Sequence, residues 1–474
     1  MMPVILWTDA LVFVLIAVIT AYAAYAHSRE HLAAPWRRVA RSASGMSALV
    51  VLAAFVAVGL LDSLHFRPAL EGKDAQGETV YAVEVRSLLD VALARLRERA
   101  EKTYSAPLAT RAYARETIEL PDGREVRDYP RLKWGGAHLT NEAERGADIG
   151  LIALRGLAAA FAVSAILAIV VTALLAWTRE RRFGEAWRAV WRGETAVPWR
   201  AVLVTAAVLL AIAFPVAFLA ARYHVLGTDK VGQDVLYQAL KSVRTGLVIG
   251  TLTTLVMMPF AVLLGISAGY FRGWIDDVIQ FVYTTLNSIP AVLLIAAAVL
   301  MMQVYIDTHP DLFPTAAQRA DLRLLFLCVI LGLTNWTGLA RLLRGEALKL
   351  RELEFIQAAQ AFGVRDARII TRHILPNVMH IVLISLVMDF SGLVLAEAVL
   401  SYVGVGVDPS MISFGTMINA ARLEMSREPA VWWSLAAAFA FMFVLVLAAN
   451  LFADAVRDAF DPRVRVGAVA KAPA

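Results

Sequence analysis

Nine nearly unbroken apolar runs alternate with charged connections along this chain, at about 4–26, 43–64, 150–177, 201–221, 244–271, 278–302, 323–343, 378–400 and 431–453. Each is close to the roughly 20 residues that a helix needs to cross about 30 Å of hydrocarbon. The runs lack the roughly ten-residue in–out alternation of membrane barrel strands, so the pattern predicts an all-α polytopic membrane protein. Only one polar interval, residues 65–148, is long enough to fold by itself. Within it Val85, Leu88, Leu89, Ala92 and Leu96 recur at helical spacing, and Glu116–Leu120 and Arg124–Tyr129 alternate around Pro121-Asp122-Gly123, which predicts a hairpin turn and a small α+β domain.

Charge gives the runs a direction. Arg29, Arg37, Arg38 and Arg41 follow the first run, and Arg179, Arg181, Arg182, Arg188, Arg192 and Arg200 follow the third. Short loops rich in arginine stay in the cytoplasm. With nine crossings, the segment Arg344–Arg372 and the tail with Arg457, Arg463 and Arg465 then share that side. The N-terminus is expected outside, the C-terminus inside, and residues 65–148 outside the cytoplasm. The 14 basic and 15 acidic residues of that domain nearly cancel, so no charged-ligand site stands out, and a solvated cap or docking surface is its expected role.

Composition agrees: 59% of the 474 residues are hydrophobic and 18% charged, with a mean hydropathy of +0.63, against roughly one-quarter charged in soluble domains. The net charge of +5 sits beside the spans, where anionic lipid headgroups are the nearest partner, and gives no reason to invoke nucleic acid. The single cysteine, Cys328, excludes an intrachain disulfide and is expected to pack as a small hydrophobe. The first run lacks the basic start and small-residue cleavage site of a cleaved signal and is read as a retained helix.

Catalytic chemistry is not evident in the sequence. There is no GxxxxGK[ST] loop to cradle phosphates, so any ATP must bind a separate subunit. The eight histidines are scattered, and His27 with His31, though spaced i,i+4, reads as a surface pair rather than a metal site. Ionisable groups inside spans are costly and are functional candidates by default. Asp389 and Glu397, two turns apart, are expected on similar faces, either as a polar strip along a solute path or as a structural pair, with Glu397 leaning to the structural role. Asn287, Ser288 and Pro290 interrupt the sixth run, where freed carbonyls are tolerated beside neighbours or a water-filled cavity. Gly246, Gly250, Gly265 and Gly269 have the small-residue spacing of close helix contact, with packing favoured over a path-lining role.

The most informative interval is Phe355–Asn377, FIQAAQAFGVRDARIITRHILPN, a polar and basic cassette between two spans. It predicts an Ala-rich helix from Leu353 to Phe362, a sharp exit at Gly363, a basic helix from Asp366 to His373, and a stop at Pro376. Ala358, Ala359 and Ala361 would leave close-approach surface around Gln357, while Leu353, Phe355, Ile356 and Phe362 supply anchors for a soluble partner.

These residues carry a resemblance. The cassette is similar to the EAA loop of ABC importer permeases, and Gly227, Thr228, Asp229, Gly232 and Asp234, in LGTDKVGQDVL, are similar to the motif before the second core span of the C-type permeases of the dipeptide/oligopeptide/nickel group. Leu395-Ala396-Glu397-Ala398 running into LSYVGVGVDPSMISFGTMI resembles that group's external segment before the last span, and VRDAFDPRVR resembles its close. The resemblance covers about 200–465 and implies a six-span permease core with its coupling loop at 351–377. Preceding it are two spans (1–64), the polar domain (65–148), and a third span with a basic linker (149–200), about which the resemblance says nothing; a tail (466–474) follows. It departs at Gln357, His373 and Gln233, where the wider patterns have glutamate, isoleucine and arginine. It further implies a bacterial inner-membrane location, a homologous second permease, two ABC ATPase subunits that bind ATP and Mg, and an extracytoplasmic solute-binding protein. Peptides are the expected solute and nickel or a metal chelate the alternative. An ATP-independent secondary transporter would call for an inverted repeat, which is not evident, and a scaffold or sensor would be built around 65–148.

Overall fold

The computed structural model describes residues 2–73, 79–119, 125–178, 182–309 and 315–460. The turn at 121–123, Arg179, Arg181, Arg463, Arg465 and the tail lie outside the described residues. The first elements are β1 (Met2–Val4), α1 (Trp7–His27), α2 (Glu30–Val39), α3 (Ala43–Ser63), β2 (His65–Arg67), β3 (Ala69–Lys73), β4 (Thr79–Tyr81), β5 (Arg86–Ser87), α4 (Leu88–Ala92), α5 (Ala94–Glu98), β6 (Glu116–Glu119) and β7 (Glu125–Asp128). There follow α6 (Arg145–Thr178), α7 (Phe183–Arg192), α8 (Trp199–Ala220), α9 (Val235–Phe271), α10 (Gly273–Ser288), α11 (Ala291–Thr308), α12 (Ala316–Asn335) and α13 (Thr337–Arg351). Last come α14 (Glu354–Ala361), α15 (Asp366–Ile369), α16 (Leu375–Val403), α17 (Phe414–Glu424) and α18 (Trp433–Phe460). Among the described residues nine helical segments are long and apolar enough to cross a membrane, one answering to each apolar run.

Three boundaries differ from the sequence expectation, each for a local reason. The run at 278–302 is not one helix: α10 ends at Ser288, Ile289 is extended as the residue before a proline prefers to be, and α11 starts after Pro290. Helix α9 begins nine residues before the expected 244, because Asp234 accepts the Leu236 N–H at 2.8 Å and starts the helix inside a polar stretch. The helix expected from Val85 to Leu96 is two short ones meeting at Leu93, the first opened by a capping box between Ser87 and Asp90.

The chain divides into two compact units. One comprises Met1–Val4, Trp36–Thr245 and Ile412–Phe452; the other comprises Ile5–Pro35, Gly246–Met411 and Ala453–Ala474. In the first, α3 and α6 pack on α8. A Cβ on Gly156 of α6 would lie 2.6 Å from the Pro215 Cα, so the helix backbones touch there. Strand β1 pairs antiparallel with β2, Met2 opposite Arg67, and β2 pairs with β5. Strands β6 and β7 form the expected hairpin, Glu116 opposite Asp128 through Glu119 opposite Glu125.

The second unit has two apolar cores. Ile249 and Leu252 of α9 meet Leu324, Leu327, Cys328 and Leu331 of α12, so Cys328 does pack as a small hydrophobe. Further along α9, Ala261, Ile266 and Tyr270 meet Leu343 and Ala347 of α13 and Val378 and Val382 of α16. Helix α1 packs on α12, where Asp321 accepts the Thr8 N–H at 3.1 Å and the Thr8 hydroxyl as well.

Glycine spacing along α9 reflects packing. A Cβ at Gly265 would stand 2.6 Å from the Ala340 carbonyl oxygen, one at Gly269 would stand 2.5 Å from that of Arg344, and one at Gly250 would strike the Phe390 ring. Gly265→Val should therefore force α9 from α13 and cost about 1–3 kcal/mol or more, the usual range for overpacking. A thermal unfolding midpoint equal to wild type would refute that contact.

Candidate functional site

The cassette folds as a knob pinned to the membrane helices by its own apolar residues. Helix α14 ends in a Schellman turn: the Val364 N–H bonds the Ala359 carbonyl at 3.0 Å, the Gly363 N–H bonds that of Gln360 at 3.0 Å, and Gly363 has φ +72°. That left-handed conformation is strained for any side chain, which is why glycine stands at the exit. Ile356, Ile369 and Ile374 are fully buried against Tyr270, Leu343, Ala347 and Val378. Ile356 is therefore an inward peg and not, as its sequence suggested, an anchor for a partner. Ala359 is half-buried against the same cluster, which leaves Ala358 and Ala361 as the outward small residues beside exposed Gln357. Phe362 is 88% exposed, and Leu353 and Phe355 are also exposed.

Tyr270, at the end of α9, ties both arms of the knob. Its hydroxyl donates to Asp366 at 2.6 Å and accepts from the Gln360 amide at 3.2 Å, and its carbonyl accepts from the Arg351 guanidinium at 2.8 Å. Sequence reasoning missed this residue, whose only signal was an aromatic closing a glycine-rich span. The expected stop at Pro376 is absent. Helical structure runs from α15 through a π turn at Ile370–Ile374 into α16, with Pro376 in the first turn of α16. A helix proline clashes with the carbonyl four residues back, here Arg372, and the wider π turn accommodates it. The Asn377 side chain donates to the His373 carbonyl at 2.6 Å.

The four candidate path residues do not form one strip. Asn287 and Ser288 are exposed just before the Pro290 break, Asn287 accepting from the Thr337 hydroxyl at 3.2 Å and Ser288 donating to the Thr285 carbonyl at 2.7 Å. Asp389 and Glu397 share α16 but not a face, since eight residues advance a helix by two turns and about 80°. Glu397 is 1% exposed and accepts from the Ser401 hydroxyl at 2.7 Å, bracing the end of α16, where a Cβ on Gly406 would collide with Ser401. Asp389 is half-buried and has no hydrogen-bond or ion-pair partner among the described residues. Of the two acidic residues it is the one without a partner among the described residues.

Residues 227–234 are instead a clasp closed by the polar domain. The Thr228 N–H bonds the Ser105 carbonyl at 3.1 Å, and its hydroxyl accepts from the Ser105 N–H at 2.7 Å and donates to the Thr103 carbonyl at 2.9 Å. Gly227 and Gly232 have φ of +73° and +77°, and a Cβ on Gly232 would lie 1.8 Å from the Glu101 carbonyl oxygen. Asp229 folds the loop by accepting the Val231 and Gln233 N–H groups at 3.0 and 2.8 Å. Trp433 Nε1 donates to the Thr228 carbonyl at 2.9 Å. At the centre His224 lies between two carboxylates, 2.8 Å from Asp234 and 3.4 Å from Glu101. Burial alone would lower its affinity for a proton, but the hydrogen bond to Asp234 and the negative charges of Asp234 and Glu101 hold its pKa up at about 9. Burial likewise opposes ionisation of Glu101, yet His224 and the N–H groups of Trp134, Lys133 and Gly135 bring that carboxyl down to about 2.

Comparison with known proteins matches residues 261–466 to the family described as binding-protein-dependent transport system inner membrane component. The chain is 32% identical to the oligopeptide transport system permease protein OppC of Mycobacterium tuberculosis (strain ATCC 25618 / H37Rv) over 242 residues, 51% of this chain and 77% of that protein. It is 33% identical to the glutathione transport system permease protein GsiD of Pectobacterium atrosepticum over 244 residues, 51% of this chain and 73% of that one. To the dipeptide transport system permease protein DppC of Bacillus subtilis it is 28% identical over 242 residues, 51% of this chain and 69% of that one.

The clasp makes stability depend on pH. Because folding raises the His224 pKa from 6.5 to about 9, its contribution is complete below about pH 6.5 and disappears as pH rises through 9. Glu101 acts oppositely, contributing above about 4.5 and losing its contribution as pH falls toward 2. The thermal midpoint should drop between pH 6.5 and 9, and His224→Gln should start lower and lose that slope. Parallel pH profiles for the two proteins would contradict the arrangement.

Proposed function

Because the chain belongs to the family of binding-protein-dependent transport system inner membrane components, and is thus a multi-pass inner membrane permease subunit of an ABC importer, we propose that it forms half of a path for di- and oligopeptides. Its relatives are named for oligopeptide, glutathione and dipeptide transport, which supports that solute class. A homologous second permease would complete the path, two ABC ATPase subunits would hold ATP and Mg, and a solute-binding protein outside would deliver the solute. Hydrolysis belongs to the ATPase subunits, since this chain has no phosphate-cradling loop.

In this reading the N-terminus and residues 65–148 lie outside and the C-terminus is cytoplasmic. The arginines of the short connections support it, as does the pairing of β1 with β2, which sets Met2–Val4 beside the strand that follows α3. Residues 201–465 then act as the permease core, with 351–377 as its coupling loop.

The observation that carries the reading is a protruding Phe362 on a knob whose isoleucines are locked among α9, α13 and α16. A partner that grips the knob moves those helices with it, because Tyr270 and the isoleucine core leave no slack between them. ATP-driven closure of the partner subunits would thereby shift the spans from inward- to outward-facing. Asp389, without a partner among the described residues, is assigned to the path.

Phe362→Ala should leave the chain folded and membrane-inserted while reducing binding-protein-stimulated ATP hydrolysis at least about tenfold, as loss of a central aromatic anchor does. Full stimulation in that variant would refute coupling through the knob. Asp389→Asn should change uptake of cationic peptides relative to neutral ones with subunit assembly unaltered. Identical uptake of both classes would remove Asp389 from the path.

A further inference from the structure

Helix α7 is ten residues long and does not cross anything. One strip of it, Ala186, Ala189 and Val190, is buried on the ends of α6 and α8, with Val190 fully enclosed beside Ala168 and Leu203. Along the adjoining strip Phe183, Trp187 and Trp191 follow one another at four-residue intervals, the first pair stacked with centroids 6.1 Å apart and the second tilted by 57° at 5.7 Å. Phe183 and Trp191 remain exposed, and Trp177 at the end of α6 is more exposed still. Next to this aromatic edge stand Arg188 and Arg192, flanked by Arg182 and Arg200, all exposed. Among the described residues none of these four guanidiniums has a carboxylate partner; Arg188 bonds only the Gly184 carbonyl, at 3.2 Å.

We infer that α7 lies in the plane of the membrane surface and binds anionic phospholipid headgroups, its tryptophans seated at the level of the acyl boundary and Arg188 and Arg192 holding phosphate. A helix with aromatic residues on one edge and uncompensated arginine on the next has the form of an interfacial helix. Its location follows from its burial against the ends of two spanning helices, which sets the aromatic edge where tryptophan is enriched in membrane proteins. Arginine supplies the forked donor geometry that phosphate oxygens accept. A protein partner would bring its own acidic groups to the same arginines, but it would leave the aromatic edge without the lipid that the neighbouring spans require. The inference is independent of the solute and of the knob.

The test uses the intact chain in nanodiscs of phosphatidylcholine containing one-fifth phosphatidylglycerol. Native mass spectrometry counts the phosphatidylglycerol retained on extraction. Wild type should retain phosphatidylglycerol in preference to phosphatidylcholine, and Arg188→Gln/Arg192→Gln should weaken that retention about 30-fold, from roughly fivefold per arginine near a charged surface. Arg188→Lys/Arg192→Lys should keep most of it. No preference in wild type would overturn the inference without recourse to any variant. Unchanged retention in the glutamine variant would also overturn it, since the arginines would then hold no headgroup.

Discussion

Three buried isoleucines determine what the connection between α13 and α16 can do. An exposed stretch of this length would move independently of the spans it joins, and whatever gripped it would pull on slack. Burying Ile356, Ile369 and Ile374 removes that freedom. Each contributes about 1.5–3 kcal/mol on full burial, so together they rival the net stability of a small domain. The π turn before Pro376 belongs to the same solution, because it lets the second arm of the knob continue into α16 as one helical body. The knob is therefore an extension of the membrane helices.

The first half of the chain meets the core by a different kind of contact. Around residues 227–234 the contact is polar and enclosed: backbone groups of Glu101, Thr103 and Ser105 bond the loop, two glycines in left-handed conformations admit their close approach, and His224 bridges two carboxylates. Nearby, Lys241 near the start of α9 bonds Asp62 and Asp90 at 3.2 and 2.6 Å. Charges on α9, unwelcome in hydrocarbon, are satisfied by residues that precede the core in sequence. Helix α1 shows the same economy, its first turn held by Asp321 of α12. The extra spans and the polar domain are built into the permease.

Much of this was legible in the sequence because water and hydrocarbon sort residues over long windows. Among the described residues, the nine membrane-length helical segments and the β6–β7 pairing followed from apolar runs and alternation, and Gly363 and the cassette followed from a polar interruption. What escaped were features decided by single contacts. The early start of α9 was hidden because its polar residues read as loop until their partners at Asp62 and Asp90 are known. Ile356 and Phe362 are both large and apolar, and nothing in a linear sequence says which faces the core and which the outside. Asp389 and Glu397 were expected on similar faces at two-turn spacing, but a helix turns about 80° beyond two full turns over eight residues, enough to enclose Glu397 while leaving Asp389 half-buried. The role of Tyr270 depends on residues about 90 positions away.

The central claim is that the knob is the surface gripped by the ATPase subunit. Cys328, the chain's single cysteine, is buried, so Phe362→Cys introduces the accessible thiol. Short-range cross-linking from that thiol in the purified, ATP-hydrolysing complex should capture an ATPase subunit, whereas Val83→Cys, on the exposed surface of the polar domain, should capture none. A reactive thiol at position 362 that cross-links to no ATPase subunit would contradict the account.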